Sequence, residues 1–382
     1  MRLAIHNGPM AIDGGIVEGR AVIVEQGRIA AIVDAADLPG DIPRHDLDGL
    51  MLAPGFIDTQ VNGGGGVLFN DAPTVETIAT IAAAHRRFGT TGLFPTLISD
   101  DLAVVRAGVA AVDAAILAGV PGILGIHIEG PFLNAERRGI HDAARLRELD
   151  EDGMATVTGL RHGRTLLTLA PEMTTSRMIA RLAAAGIVVA AGHTAATYAE
   201  ARQALDHGLT GFTHLFNAMS QLGNREPGVV GAALEDDASW CCMIVDGHHV
   251  APATLKLALR CKAAAKFVLV TDAMPSVGTD VGSFVLQGKV ITVDGDVCVD
   301  ADGTLAGAHL NMAAAVRNAV RLLSLPPVTA LEMASTNPAA YMGLSATRGR
   351  IATGLQADLV ALDPSLQVVG SWIGGDYASS AR

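Results

Sequence analysis

Short apolar runs alternate with alanine-rich, helix-like segments along most of this chain. Runs such as Gly186-Ile-Val-Val-Ala-Ala191 and Lys266-Phe-Val-Leu-Val270 end at glycine or polar residues, and helical periodicity follows. Strands that are apolar on both faces are typical of a parallel sheet covered by helices. The alternation over residues 54–345 therefore predicts an α/β fold, a (β/α)8 TIM-like barrel. The clearest predicted helices span residues 75–88, 103–117, 175–185 and 308–323.

Both ends of the chain follow a different pattern. Between residues 1 and 53, short apolar runs are separated by turns, and the dipeptide Gln26-Gly27 between two such runs is typical of a β-hairpin. Residues 346–382 return to short runs of β type. We therefore expect a small discontinuous β-sandwich domain, formed by residues 1–53 and 346–382, beside a barrel formed by residues 54–345.

The composition narrows the range of partners. A chain of 382 residues with 50% hydrophobic and 17% charged residues is typical of a well-buried globular protein. A net charge of −12 without a Lys/Arg-rich run argues against nucleic-acid binding. No apolar stretch reaches the roughly 18 residues of a membrane helix, and the N-terminus lacks a secretory pattern. With four cysteines in no metal-binding spacing, we expect a cytoplasmic protein with reduced thiols and no membrane partner.

Metal-competent and titratable side chains follow four of the apolar runs, as Glu129, His193, His214 and Asp272. Because parallel barrel strands end at one face, these side chains are expected in one pocket. Two imidazoles and a carboxylate form the kind of ligand set that leaves a metal position open for catalysis. His127 shares the face of Glu129, since strand side chains alternate, and we interpret it as a supporting or packing residue.

Each of these residues also has a structural alternative. A histidine at a strand end is often a hydrogen-bonded core residue, and an aspartate after a strand often caps a helix. Several sequence strings together favour the functional interpretation. They are Pro54-Gly-Phe-Ile-Asp58, His127-Ile-Glu-Gly-Pro131, Arg138-Gly-Ile-His141, Leu169-Ala-Pro-Glu172, Ala191-Gly-His-Thr194, Thr213-His-Leu-Phe-Asn-Ala-Met219, Arg225-Glu-Pro-Gly228, Asp246-Gly-His-His249, Val270-Thr-Asp-Ala273 and Gly303-Thr-Leu-Ala-Gly307.

In the order and spacing of these strings, the chain resembles the N-acetylglucosamine-6-phosphate deacetylases of the amidohydrolase superfamily over nearly its whole length. The resemblance implies that Glu129, His193 and His214 bind a metal and that Asp272 and His141 are catalytic. It implies a homodimer in which Arg225 and His249 serve the neighbouring subunit's site. The substrate-binding residues predicted in this way are Ile140, His141, Asn217, Ala218, Arg225, His248, His249, Leu305, Ala306 and Gly307. Whether His248 or His249 contacts the phosphate is left open.

One departure from the superfamily pattern concerns metal stoichiometry. Many amidohydrolases carry His-x-His after the first strand, and here that place reads Gln60-Val61-Asn62. Amides are poor zinc ligands compared with imidazole, so we predict one divalent metal per chain. Zinc is the first choice, with iron, cobalt and manganese as alternatives.

The implied activity is metal-dependent hydrolysis of the acetamide of N-acetyl-D-glucosamine 6-phosphate to D-glucosamine 6-phosphate and acetate, a step of amino sugar catabolism. One alternative is a deacetylase of another N-acetylated amino sugar, such as N-acetylgalactosamine 6-phosphate. A second is a catalytically silent barrel that only binds ligands, which the fold alone would permit.

Overall fold

Eight parallel strands that carry the predicted apolar runs form the central sheet. The structure is a computed structural model that describes residues 2–380; residues 1, 381 and 382, predicted to belong to the small domain, lie outside the described part. The barrel strands are, in order, Phe56–Val61, Thr90–Ile98, Gly125–Glu129, Arg164–Leu169, Val188–Ala191, Leu209–Phe212, Trp240–Ile244 and Phe267–Val270.

The sheet closes between its first and eighth strands. Val61 forms a parallel bridge with Ala273, and the Asp272 N–H donates to the Gln60 carbonyl at 3.0 Å. Sequential parallel order with helices between the strands confirms the predicted (β/α)8 barrel. All the strand ends that carry predicted site residues therefore open on one face of the barrel.

Within residues 2–380, ten α-helices are formed. They are α1 (Val75–Arg86), α2 (Leu102–Leu117), α3 (Glu151–Val157), α4 (Ser176–Ala184), α5 (Tyr198–Asp206), α6 (Gly228–Glu235), α7 (Pro252–Cys261), α8 (Met312–Leu323), α9 (Pro327–Ala334) and α10 (Thr336–Tyr341). Side chains cap the N-termini of several of these helices. At the N-terminus of α5, Thr197 and Glu200 form a reciprocal capping box. Asn311 caps α8, which therefore begins four residues later than the sequence predicts.

Two sheets from both ends of the chain form the small β-sandwich. One has the strands Arg2–His6, Arg20–Glu25, Arg28–Asp34 and Arg44–Asp46; the other has Met10–Ile12, Gly15–Val17, Met51–Pro54, Leu359–Leu362, Val368–Ile373 and Asp376–Ser379. Buried side chains from both sheets, including Ile5, Leu52 and Trp372, pack in one cluster. The Gln26-Gly27 hairpin is confirmed, with both residues in the left-handed conformation.

Met51–Pro54 and Leu359–Leu362 pair antiparallel, which joins the two ends of the chain in one sheet. The boundaries at 53/54 and 345/346 stay predictions. No helix in the described residues is long and apolar enough to cross a bilayer.

An antiparallel sheet that the sequence did not predict interrupts the alternation after the eighth barrel strand. Its strands are Ser283–Leu286, Lys289–Asp294, Val297–Val299 and Leu305–Ala308, and we call residues 283–308 the inserted sheet. Its apolar face, which includes Leu286 and Ala306, packs on Ile98 and Met274 of the barrel's upper rim. The prediction of barrel alternation is therefore wrong over these residues. A second short antiparallel pair, Gly63–Gly64 with Val67–Leu68, follows the first barrel strand.

Candidate metal centre and active site

Glu129, His193 and His214 converge at the open face of the barrel. Glu129 ends the third strand, and the two histidines follow the fifth and sixth strands. One carboxylate oxygen, Glu129 Oε1, lies 3.1 Å from His193 Nε2 and 2.9 Å from His214 Nε2, and the two imidazole nitrogens are 3.0 Å apart. All three side chains are buried. A buried oxygen and two facing imidazole nitrogens are a donor set that fits a divalent metal ion.

Neighbouring groups orient these three side chains. His193 Nδ1 donates to the Arg137 carbonyl at 2.9 Å, which directs Nε2 at the cluster. The second oxygen of the Glu129 carboxylate accepts a hydrogen bond from Gln60 Nε2 at 3.0 Å. His193 and His214 both adopt left-handed backbone conformations, with φ of 49° and 32°. Such conformations are costly for residues other than glycine, and outside tight turns they cluster at functional sites.

The charge of Glu129 is stabilised by the histidines that face it. Burial alone would raise the pKa of Glu129, but hydrogen bonds from His193 and His214 lower it well below its ordinary value. The carboxylate is therefore ionised at neutral pH, as a metal ligand must be.

Asp272 lies beside the cluster, directly after the eighth strand. Its Oδ1 accepts hydrogen bonds from Asn62 Nδ2 at 2.7 Å and from Gln60 Nε2 at 3.1 Å. Burial, followed by the negative charge of Glu129, raises the pKa of Asp272 above its ordinary value. Gln60 and Asn62 thus hold both carboxylates by their amide groups.

A third buried carboxyl group, that of Asp58, supports the end of the eighth strand. Asp58, in the first barrel strand, accepts a hydrogen bond from the Thr271 hydroxyl at 2.5 Å and from the Thr271 backbone N–H at 3.3 Å. Burial raises the pKa of Asp58 to about 7. Asp58 therefore fixes the residue that immediately precedes Asp272.

His141 lies against His193, with ring centroids 4.4 Å apart. Its Nδ1 accepts a hydrogen bond from the Ser99 backbone N–H at 3.3 Å and lies 2.8 Å from the Ser99 hydroxyl. A backbone N–H can only donate, so Nδ1 is the acceptor and the ring proton is on Nε2. Burial, followed by the charge on His193, lowers the pKa of His141 to about 3, which keeps the ring neutral.

His127 is directed away from the cluster. Its Nε2 lies 2.8 Å from the Thr168 hydroxyl and its Nδ1 lies 3.3 Å from the Thr96 hydroxyl. Burial lowers the pKa of His127 to about 4, so the ring is neutral. The ring is held within the barrel by hydroxyl groups.

A cavity of about 220 Å³ opens above the cluster. Besides the cluster and Asp272, its wall contains most of the residues predicted to bind substrate. These are Ile140, His141, Asn217, Ala218, His249, Leu305 and Gly307. His249 is oriented by the buried carboxylate of Asp246, whose Oδ2 lies 2.5 Å from His249 Nδ1. Burial alone would raise the pKa of Asp246, but the hydrogen bond to His249 lowers it below its ordinary value.

Comparison with known protein families shows the family to which this chain belongs. The profile of the Amidohydrolase family matches residues 51–378, and that of the NagA composite domain matches residues 15–52. The chain belongs to the amidohydrolase family. One relative, the N-acetylgalactosamine-6-phosphate deacetylase of Shewanella sp. (strain ANA-3), is 43% identical over 97% of this chain and 94% of its own length.

Two solved structures are also similar to the structure of this chain. The crystal structure of N-acetylglucosamine-6-phosphate deacetylase from Pasteurella multocida has a TM-score of 0.96 at 34% identity, covering 99% of this chain and 100% of that one. A mutant of the Mycobacterium smegmatis N-acetyl-D-glucosamine-6-phosphate deacetylase, in complex with N-acetyl-D-glucosamine-6-phosphate, has a TM-score of 0.90 at 33% identity, covering 98% and 99%. The amidohydrolase barrel of this chain is thus a hydrolase with a cluster able to bind a metal.

Three of the predicted substrate residues lie outside the cavity wall of this amidohydrolase. Arg225 is exposed in the loop between the sixth strand and α6, and His248 is exposed beside the cavity-lining His249. Ala306 is buried in the apolar core of the inserted sheet, while its neighbours Leu305 and Gly307 line the cavity.

The sequence reasoning missed several cavity residues that come from the inserted sheet and the rim. They are Ile98, Gly139, Ile244, Met274, Leu286 and Thr304. A usable signal was present in the dipeptide Gln287-Gly288, because it repeats the Gln26-Gly27 hairpin signal. The hairpin itself was therefore predictable, whereas its position above the site depends on tertiary packing.

Proposed function

We propose that this amidohydrolase uses one divalent metal ion to hydrolyse the acetamide of N-acetyl-D-glucosamine 6-phosphate, releasing D-glucosamine 6-phosphate and acetate. The observation that carries the proposal is the convergence of Glu129, His193, His214, Asp272 and His141 on one cavity. The names of relatives and of similar structures support an amino sugar phosphate as the substrate.

In this proposal Glu129, His193 and His214 hold the metal ion. A divalent cation bound there would polarise oxygen atoms and lower the pKa of water from roughly 15.7 to about 7. We propose zinc, with iron, cobalt and manganese as alternatives that share these ligands. Elemental analysis of protein purified without added metal tests identity and stoichiometry together, and a content near one per chain is expected.

Asp272 transfers the proton. Its carboxylate removes a proton from the attacking water as the water oxygen bonds to the acetyl carbon. It then delivers that proton to the sugar nitrogen as the carbon–nitrogen bond breaks, so that an amine and acetate leave. The raised pKa of Asp272 suits both steps, because a general acid–base works best with a pKa near the working pH. Gln60 and Asn62 fix one carboxylate oxygen, and the other remains available for the proton.

His141 stabilises the developing oxyanion. Its neutral ring has the proton on Nε2, since Nδ1 accepts from Ser99. That N–H group donates to the acetyl oxygen as negative charge develops there. Loss of a comparable donor in other enzymes costs about 3 kcal/mol of transition-state stabilisation.

The phosphate group needs positive charge that the cavity wall does not supply by itself. Among residues 2–380, no lysine or arginine lines the cavity. His249 does line it, and the buried carboxylate of Asp246 orients the His249 ring. We propose that the exposed Arg225 of a second copy of the chain completes the site in a homodimer. An arginine pairs with two phosphate oxygens at once, which supplies local positive charge on a chain whose net charge is −12.

N-Acetylgalactosamine 6-phosphate is a second candidate substrate. The relative from Shewanella that bears that substrate in its name is 43% identical to this chain over 97% of it. The two sugars differ only in the configuration at C4, so the same metal and proton-transfer residues would serve both.

A panel of substrates tests the proposal. Acetate release is measured with both N-acetylhexosamine 6-phosphates and with their unphosphorylated forms, for the wild type and for Asp272→Asn. We expect kcat/KM to be highest for a phosphorylated sugar and to fall by about 10²–10⁴-fold in Asp272→Asn with unchanged metal content. Faster turnover of an unphosphorylated sugar would refute the phosphate assignment, and undiminished activity of Asp272→Asn would refute the mechanism.

A further inference from the structure

One side chain of the inserted sheet bridges the two loops that enclose His141. Gln287 lies at the tip of the first hairpin, in the left-handed conformation with φ of 47°. Its Nε2 donates to the Ser99 carbonyl at 2.6 Å, and its Oε1 accepts from the Asp142 backbone N–H at 2.8 Å. A carbonyl can only accept and an N–H can only donate, so these two partners fix the orientation of the amide.

Both partners of Gln287 adjoin His141. Ser99 is the residue whose N–H and hydroxyl contact His141 Nδ1, and Asp142 directly follows His141 in the chain. Ser99 is therefore held on one side by Gln287 and holds His141 on the other. The inserted sheet is itself anchored at its far end, where the Ala308 N–H donates to the Asp272 carbonyl at 2.9 Å.

We propose that Gln287 is a positioning residue for His141, which acts by fixing Ser99 and Asp142 so that the imidazole keeps its proton on Nε2 and directs it at the substrate. The inference rests on the proposed role of His141 in deacetylation. It assigns the inserted sheet a part in the chemistry beyond lining the cavity.

Packing alone is the competing explanation for the position of the inserted sheet. Leu286, next to Gln287, is buried and packs with Ile98 and Met274. That contact would hold the hairpin over the cavity whatever residue followed it. The two explanations differ in what happens when Gln287 is changed and Leu286 is kept.

The experiment compares Gln287→Ala and Gln287→Glu with Gln26→Ala. Gln26 is a matched control, because it occupies the same position of a Gln-Gly hairpin turn, with φ of 50°, in the small domain and with an exposed side chain. Gln287→Glu keeps the acceptor for Asp142 but places a carboxylate oxygen against the Ser99 carbonyl. It therefore tests the Ser99 contact separately.

Kinetics with the preferred N-acetylhexosamine phosphate provide the first measurement. We expect kcat to fall about tenfold in Gln287→Ala and at least as far in Gln287→Glu, with metal content and Tm close to those of Gln26→Ala. Equal kcat in Gln287→Ala and Gln26→Ala overturns the proposal. Wild-type activity in Gln287→Glu also overturns it, since the Ser99 contact would then have no effect.

A second measurement does not depend on activity. Nitrogen-15 NMR of histidine-labelled, zinc-loaded protein reports which ring nitrogen carries the proton, and the His141 signals are assigned by their loss in His141→Gln. We expect a single Nε2–H form in the wild type and in Gln26→Ala, and a mixture of tautomers in Gln287→Ala. An unchanged spectrum in Gln287→Ala refutes the positioning role. The same spectra are informative even if no sugar of the panel is deacetylated.

Discussion

At the scale of single residues, Gln60 and Asn62 hold the carboxylates of Glu129 and Asp272 by hydrogen bonds from their side-chain amides. Gln60 donates to both Glu129 and Asp272, and Asn62 donates to Asp272. The N–H groups of two neutral side chains thus stabilise two adjacent carboxylates. Sequence alone identified the substitution, but the hydrogen bonds depend on distances that only the closed barrel sets.

Restoring the histidine pair should change the metal content. We expect Gln60→His combined with Asn62→His to raise bound zinc from near one toward two per chain, because imidazole replaces two poor ligands. Elemental analysis after dialysis against buffered zinc is the measurement, with Gln60→His alone as the control. A double variant that still binds one ion would show that other groups exclude the second metal.

Asp58 should make the stability of the protein depend on pH. Its pKa is raised from 3.8 to about 7 by burial, so the folded protein holds a proton that the unfolded chain releases above pH 4. The raised pKa of this acid means that stability is lost as the pH rises between these two values. We expect Asp58→Asn to remove this loss, which is on the order of 2–4 kcal/mol.

The check is Tm measured between pH 4 and pH 8 for both proteins. The wild type should lose stability relative to Asp58→Asn from about pH 4 to about pH 7, and the difference should then level off. Parallel curves would show that Asp58 is ionised throughout this range and that its charge is compensated in the fold.

At the scale of elements, the barrel was predictable, whereas of the inserted sheet only the first hairpin carried a sequence signal. Each barrel strand is an apolar run that can be recognised locally, and the residues at its C-terminal end lie at the open face of the barrel. The positions of Glu129, His193, His214 and Asp272 could therefore be predicted from the sequence. The inserted sheet has short, mostly exposed strands such as Lys289–Asp294, which lack the continuous apolar run of a barrel strand. Its place over the cavity depends on contacts with Met274 and with Ile98, and Ile98 is distant in sequence.

The last strand of the inserted sheet should tolerate no side chain at Gly307. A Cβ there would lie 2.8 Å from the Asp272 carbonyl oxygen and 2.6 Å from Met274, with φ at +60°. We expect Gly307→Ala to displace Asp272 and to lower kcat/KM at least tenfold. Gly303→Ala is the control, because Gly303 has a similar φ of +79° but open space around it.

Both glycine variants should lose about 1–2 kcal/mol of stability through the left-handed conformation. Only Gly307→Ala should lose activity beyond that effect. Measurements of Tm and kcat/KM separate the two contributions. Equal activity in both variants would show that the backbone of Asp272 adjusts without functional cost.

At the scale of the whole molecule, the charge distribution bears on how the phosphate group of the proposed substrate would be bound. The protein carries a net charge of −12, and within the described residues the cavity wall contains no arginine or lysine. Arg225 stays an exposed residue of a loop beside the barrel mouth. A site shared between two copies would reconcile an acidic enzyme with an anionic substrate.

Mixing two variants, each impaired at substrate concentrations well below the KM of Arg225→Ala, tests the shared site. In a hybrid dimer of Asp272→Asn and Arg225→Ala, one site has an intact Asp272 and receives Arg225 from the other chain. Statistical mixing after co-expression should therefore restore about a quarter of wild-type activity. Arg225→Ala alone should mainly raise KM. No recovery in the mixture would show that Arg225 serves its own chain, and an Arg225→Ala variant with wild-type KM would show that Arg225 does not bind substrate.

The pairing of Met51–Pro54 with Leu359–Leu362 has a consequence for how the chain is made. The first of these strands emerges from the ribosome roughly 300 residues before its partner. At roughly 5–20 residues per second, it waits about 15–60 s for that partner, during which the barrel is synthesised. The part of the protein that is translated first is thus among the last to be completed. A nascent chain released before Leu359 would leave an edge strand unpaired, which favours aggregation.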